Sequence, residues 1–192
     1  MIHSVGPLKR LFAEHDMRVI DVEHVDVHGG SFVIAVGRNA NPHPTSPGVD
    51  EWIAREKEAG LYDTATYDEF AARVSQNRDD LVALLKKLKA DGKRVWALGA
   101  PLKGNTLLNY CGIGPDLVEK AVEVNKFKIG KLTPGMHIPV EAEDGQTETP
   151  DYYLVLTWNF LPFFIEKYQE FLSSGGQFIV PNPTVRVVGA DG

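Results

Sequence analysis

The apolar positions of this chain change their period along its length. Between Ser4 and His15, Leu8, Leu11 and Phe12 recur at helical spacing behind a candidate N-cap at Ser4, which predicts a short helix over 4–15. Residues 17–26, carrying Met17, Val19, Val22 and Val25, and residues 31–37 (Ser-Phe-Val-Ile-Ala-Val-Gly) read as two strands. The His28-Gly29-Gly30 step between them is a hairpin signal. A helix and one hairpin bury too little apolar surface to stand alone, so this segment needs something to pack against. Residues 38–50, with Pro42, Pro44 and Pro47, read as a loop, and a charged helix around Trp52 and Ile53 follows over 50–60. Tyr67, Phe70, Ala71, Val74, Leu81, Leu84, Leu85 and Leu88 then keep the 3–4 spacing of a long amphipathic helix over 67–90, ended by Asp91-Gly92.

Beyond Gly92 the pattern becomes strand–helix alternation. Short apolar runs at 94–98, 118–124, 152–157, 177–180 and 185–188 read as strands. Helices are expected after Gly99–Thr106 and over 160–172, and a long loop rich in Lys, Gly and Pro over 125–139. Units of this length imply an α/β fold with a doubly wound, mostly parallel sheet. The organisation expected is residues 1–38 as one piece, 39–66 as a linker with a short helix, and 67–192 as the α/β domain.

Bulk chemistry narrows the function. A net charge of −6 disfavours partners held through phosphate neutralisation, so no nucleic acid is expected. The single cysteine, Cys111, excludes an internal disulfide and a cysteine-built zinc site, and suits a cytoplasmic protein. No apolar run approaches the roughly 20 residues a membrane span requires, and the N-terminus has no apolar core of signal-peptide length. The six histidines show no metal-ligand spacing, so no metal site is expected.

The strongest local feature is Gly99-Ala-Pro-Leu-Lys103-Gly104-Asn105-Thr106, which leaves a strand and opens a helix. Backbone N–H groups at a helix start attract an anion, and glycines let a ligand approach the backbone. Lys103 offers a point charge to a phosphate, and Asn105 and Thr106 offer caps or ligand contacts; the alternative is a plain strand-to-helix turn. Glu123 ends a predicted strand, where dinucleotide-binding folds place an acid for a ribose, or where a surface Glu simply sits. Trp158-Asn159 follows another strand, in position to stack on and read a ligand, or else to serve as packing and an N-cap. Lys126, Lys128, Lys131 and His137 lie on the long loop, facing a diphosphate or only solvent. Ser31 has no nucleophile elbow around it.

Gly99-Ala-Pro-Leu-Lys-Gly-Asn-Thr-Leu-Leu-Asn-Tyr-Cys-Gly-Ile113 resembles the C-terminal domain of S-adenosylmethionine (SAM)-dependent C-methyltransferases that act on nucleotide-linked deoxysugars. The likeness continues through Asn125–Lys131, Pro134-Gly135, His137–Pro139, Pro150–Asn159 and Gly175–Pro181. It implies a Rossmann-like C-terminal domain preceded by the last helix and strand pair of a SAM-binding domain. The family's zinc-binding cysteines, Gly-rich SAM loop and Tyr/Glu/His catalytic stretch have no counterpart here, so no catalytic residue carries over, His3 included. The chain alone is expected to be inactive and to bind no SAM, as a truncation or as half of a split enzyme whose partner binds the methyl donor. The substrate implied is a sugar carried on thymidine diphosphate. The positions matching by motif are Lys103, Gly104, Asn105, Thr106 and Asn109, with Trp158 and Asn159. Val124, Thr133 and Met136 depart from the more polar or aromatic residues the pattern would place there. The other class the sequence leaves open is a non-catalytic nucleotide-binding or interaction module.

Overall fold

The computed structural model describes residues 3–27 and 29–190. The chain forms two compact units, Met1–Ala71 and Ala72–Gly192.

In the first unit, α1 (Val5–Ala13) is followed by β1 (Met17–Val25) and β2 (Ser31–Arg38), an antiparallel pair. Ser4 is the residue before α1, but its side chain caps nothing. That task falls to Glu56, a buried carboxylate that accepts the Val5 and Gly6 N–H groups and the Tyr62 hydroxyl. Part of the hairpin turn, at His28, lies outside the described residues; Gly29 and Gly30 have φ of 87° and 107°, the region glycine enters without a Cβ penalty. Ser31 Oγ donates to Val27 O, a turn contact. The register slips at Ile20, whose carbonyl accepts the Ser46 N–H at 2.7 Å. Ser46 then accepts the Gly48 N–H and starts α2 (Pro47–Glu58) with Pro47 in its first turn. The helix thus begins earlier than the prolines suggested, because a proline in the first turn gives up an N–H that has no helical partner anyway. Val5, Val19 and Val49 are buried, and Trp52 packs against the rings of His24 and Phe32.

Helix α3 (Thr64–Ala90) carries residues of both units, and Leu81, Leu85 and Leu88 are its buried positions. In the second unit come β3 (Val95–Leu98), α4 (Leu102–Cys111), β4 (Ala121–Glu123), β5 (Val140–Ala142) and β6 (Tyr152–Val155). A 3-10 turn (Trp158–Phe160) leads to α5 (Leu161–Lys167), α6 (Gln169–Ser173), β7 (Gln177–Val180) and β8 (Arg186–Val188). The sheet order is β5-β4-β3-β6-β7-β8, with only β8 antiparallel. Counted from β3, this is the 3-2-1-4-5-6 order of a Rossmann-like sheet, whose topological switch lies between β3 and β6. The central strands β3 and β6 are apolar along their length because both faces of the sheet are covered there. One face carries Leu81, Leu85, Leu108, Ile113, Ala97, Leu154 and Leu156; the other carries Trp96, Leu98, Tyr153, Val155, Phe171 and Phe178.

Three departures from the sequence pattern have physical reasons. The three-residue β5 is too short to show a period; Gly130 N–H donates to its Val140 carbonyl, and Val140 N–H donates to Lys131 O. The helix expected over 160–172 breaks at Tyr168, whose ring lies edge-on to Tyr153, Phe171 and Phe178. The 125–139 segment is ordered by its own hydrogen bonds: Thr133, 2% exposed, accepts the Ile138 N–H on Oγ1, and Thr133 N–H donates to Ile138 O.

Candidate functional site

In open α/β sheets ligands gather beyond the carboxyl ends of the strands at the switch point. Here that end of the sheet is formed by the β3–α4 turn and the residues leaving β6. Gly99 has φ of 79°, and a Cβ there would lie 3.3 Å from Thr157 Cγ2. Gly104 is buried, and a Cβ on it would stand 2.8 Å from the Leu156 Cβ. The two glycines have different tasks: Gly99 permits the tight turn, and Gly104 lets α4 lie directly on β6. Gly104 is therefore a packing position.

Pro101 is the residue preceding α4, and Asn105 N–H closes the first turn on Pro101 O at 3.1 Å. Neither Asn105 nor Thr106 caps the helix: Thr106 Oγ1 donates back to Leu102 O, a bond within the helix. The N–H groups of Leu102, Lys103 and Gly104 lie outside the helical ladder and form the anion-attracting end of α4. Lys103 is exposed beside them. Asn109 Nδ2 bridges Asn105 O (2.8 Å) and Pro134 O (2.9 Å), tying α4 to the long loop. Gly135, at φ 79°, closes over that amide, since a Cβ there would lie 1.9 Å from Asn109 Oδ1.

Two oxygens at this end of the sheet are buried without a hydrogen-bond partner, Asn105 Oδ1 and Thr157 Oγ1. Orphaned polar atoms of this kind are costly unless something answers them. Trp158 is half-buried and packs on the Tyr153–Phe178 side of the sheet, while Asn159 is exposed inside the 3-10 turn and caps no helix.

Glu123 proves to be neither a surface acid nor a free ribose ligand. It is 8% exposed. Its Oε1 accepts the Val124 and Asn125 N–H groups at 3.0 and 3.1 Å, and its Oε2 accepts Ala100 N–H at 3.1 Å and pairs with Lys128 Nζ at 3.0 Å. Burial works to raise its pKa, but the Lys128 ammonium and the Asn125 and Ala100 N–H groups together hold it below the usual carboxylate value. One carboxylate thus pins the β3–α4 turn to the end of β4, and Lys128 is engaged in the protein. Lys126, Lys131 and His137 are exposed. The sequence marked Glu123 as a lone acid; only the fold reveals that four donors converge on it.

Among the described residues, no group of three or more His, Cys, Asp or Glu is placed to hold a metal ion, and no helix is long and apolar enough to cross a membrane.

Residues 26–183 match the model of the C-methyltransferase C-terminal domain. The chain is also 42% identical over 189 residues to the C-methyltransferase NovU of Streptomyces niveus, an alignment that takes in 98% of this chain and 45% of the relative. The chain thus spans a little under half the length of the curated relative it matches. With a six-stranded Rossmann-like sheet and a match over most of its length, the chain belongs to the C-methyltransferase C-terminal domain family.

Proposed function

We propose that this chain is the substrate-side part of a SAM-dependent C-methyltransferase, and that the crevice between β3 and β6 holds the nucleotide of a nucleotide-linked deoxysugar. The observation that carries this reading is the convergence of the α4 N-terminus, the Gly99 turn and two unanswered oxygens, Asn105 Oδ1 and Thr157 Oγ1, at one switch point. Lys103 and the first-turn N–H groups of α4 meet the anionic diphosphate; Asn105 and Thr157 meet neutral polar groups of the ligand. Asn109 shapes the wall by tying α4 to the loop, and Trp158-Asn159 bounds the β6 side.

In such an enzyme a carbon next to a keto group loses a proton, and the resulting enolate carbon takes the methyl. The contribution of this chain is to hold the sugar nucleotide for that step, and fixing a reactant in place lowers a barrier by several kcal/mol, on the order of that gained by well-oriented intramolecular reactions. This reading gives the crevice to the sugar nucleotide and places SAM elsewhere. In the first unit the only sheet described is an antiparallel pair, with no Gly-rich turn from a parallel strand into a helix. The reading leaves the methyl donor and the catalytic base to residues outside this chain.

Calorimetric titration with thymidine diphosphate tests the reading. The chain is expected to bind it and to give no heat with SAM. Lys103→Ala should weaken binding about fivefold and flatten its salt dependence, as loss of one exposed charge contact would. No binding of the nucleotide, or equal affinity in the variant at low salt, would overturn the assignment of the α4 end.

A further inference from the structure

The segment after β4 looks like a solvated loop in the sequence and is a built object in the structure. Asn125 Oδ1 accepts the Phe127 N–H at 3.0 Å, and Asn125 O accepts the Lys128 and Ile129 N–H groups. Lys131 N–H donates to Lys128 O, and Leu132 pairs with Pro139 in an antiparallel bridge. Order of this kind usually serves to bury something. Yet it holds Phe127 in water: the residue is 84% exposed, as is Leu102 at the start of α4, and Val124 is 65% exposed.

The stretch that carries Phe127 is tied to the β3–α4 turn through Glu123, whose carboxylate accepts Ala100 N–H from that turn and, from the loop, Asn125 N–H and the Lys128 ammonium. With Lys128 paired to Glu123, the exposed lysines on either side of Phe127 in the loop sequence are Lys126 and Lys131. An exposed aromatic between lysines, on a loop ordered by its own hydrogen bonds and tied through Glu123 to the turn that opens α4, has the chemistry of a π-face for a base and charge for its phosphates.

We infer that Phe127 is the stacking residue for the base of a nucleoside diphosphate, with Lys126 and Lys131 of the same loop supplying charge for its phosphates. This rests on the nucleotide reading above and deepens it, because it names the part of the ligand that the loop takes. It also accounts for Thr133, Asn109 and Gly135, which fix the loop's shape without touching a ligand.

The test compares thymidine diphosphate, thymidine and inorganic pyrophosphate as calorimetric probes of the full chain and of Phe127→Ala and Phe127→Tyr. At 84% exposure the ring carries no packing, so both variants should melt with the unsubstituted chain. Phe127→Ala should lose about tenfold in affinity for thymidine diphosphate, the scale of one lost base stack, and a similar factor for thymidine. Phe127→Tyr should stay within about twofold, and pyrophosphate should bind all three chains alike. Unchanged thymidine diphosphate affinity in Phe127→Ala, with the unsubstituted chain binding, overturns the stacking role alone and leaves the ring to a protein partner. A parallel loss of pyrophosphate binding overturns it as well, since the substitution would then act through the lysines. If the unsubstituted chain binds no nucleotide, the functional reading and this inference fall together.

Discussion

Each unit contains one buried glutamate that accepts backbone N–H groups from a distant stretch of chain, and the two perform different tasks. Glu56 receives Val5 and Gly6 N–H and the Tyr62 hydroxyl in a unit whose buried apolar side chains are few, with Val5, Val19 and Val49 the fully buried ones among the described residues. Glu123 receives Val124, Asn125 and Ala100 N–H and the Lys128 ammonium in a unit with an apolar cluster on each face of a six-stranded sheet. In the first case the carboxylate substitutes for a core: α1 has no side-chain cap of its own and is fastened by an acid borrowed from α2. In the second the core is complete without it, and the carboxylate is free to shape a crevice. Removing Glu56 should therefore cost fold, and removing Glu123 should cost site.

The largest effect is expected from Glu56→Ala. It strands the buried Val5 N–H and the partly buried Gly6 N–H and frees the Tyr62 hydroxyl, for about 3 kcal/mol on the usual scale for lost hydrogen bonds to a buried carboxylate. Hydrogen exchange at the Val5 and Gly6 amides should accelerate about a hundredfold, while amides of β3 and β6 exchange as before. Equal acceleration in both places would break the contrast. The same carboxylate, together with burial, raises the Tyr62 pKa to about 12, burial being the larger cause.

Gly104→Ala probes the second unit where it has no slack. The added methyl meets Leu156 Cβ at 2.8 Å and must push α4 off β6, at a cost of about 2 kcal/mol for overpacking of a well-filled core. A melt of the second unit should show it, and nucleotide affinity should fall with it because the helix start moves. A substitution with neither effect would mean that α4 repacks at no cost and that Gly104 is not what sets its distance from β6.

How much of this was legible in the sequence follows from what each feature depends on. The strands of the sheet announce themselves through runs such as Val95–Leu98 and Tyr152–Val155, because a strand covered on both faces needs apolar residues at every position. Gly99 and Gly104 stood out as glycines between strand and helix, but the sequence could not say that one serves a positive φ and the other a close approach to Leu156. The start of α2 was misread because Pro47 signals loop and first-turn proline equally, and Ser46 decides between them only through its bond to Gly48. Asn109 matched by motif, and its bridge to Pro134 O depends on a residue 25 positions away. Glu123, Lys128 and Thr133 were invisible as structural groups for the same reason: their partners converge in space and have no fixed spacing.

The smallest expected effect on stability is also the sharpest test of the contrast. Glu123→Gln keeps the shape of the side chain, removes the charge that pairs with Lys128, and replaces one acceptor with a donor facing backbone N–H groups. The stability loss should be about 1 kcal/mol, the scale of one net hydrogen bond, while nucleotide affinity falls by more than that loss accounts for, because Ala100 is released from the β4 end. The pH dependence has a definite sign. The folded-state pKa of Glu123 lies below its unfolded value, so the carboxylate adds stability that is fully present above the unfolded value, roughly pH 4.3 for a glutamate, and drains away as pH falls through the folded one. The stability difference between the unsubstituted chain and Glu123→Gln should hence be flat from pH 7 to about pH 5 and shrink below about pH 4. Glu119, Glu141 and Asp151 also have lowered pKa values and acid-sensitive contributions, but they are unchanged in the variant and cancel in the difference. A difference that stays constant down to pH 3 would mean that the charge of Glu123 stabilises nothing, and the carboxylate would then be a spacer where we have read a clamp.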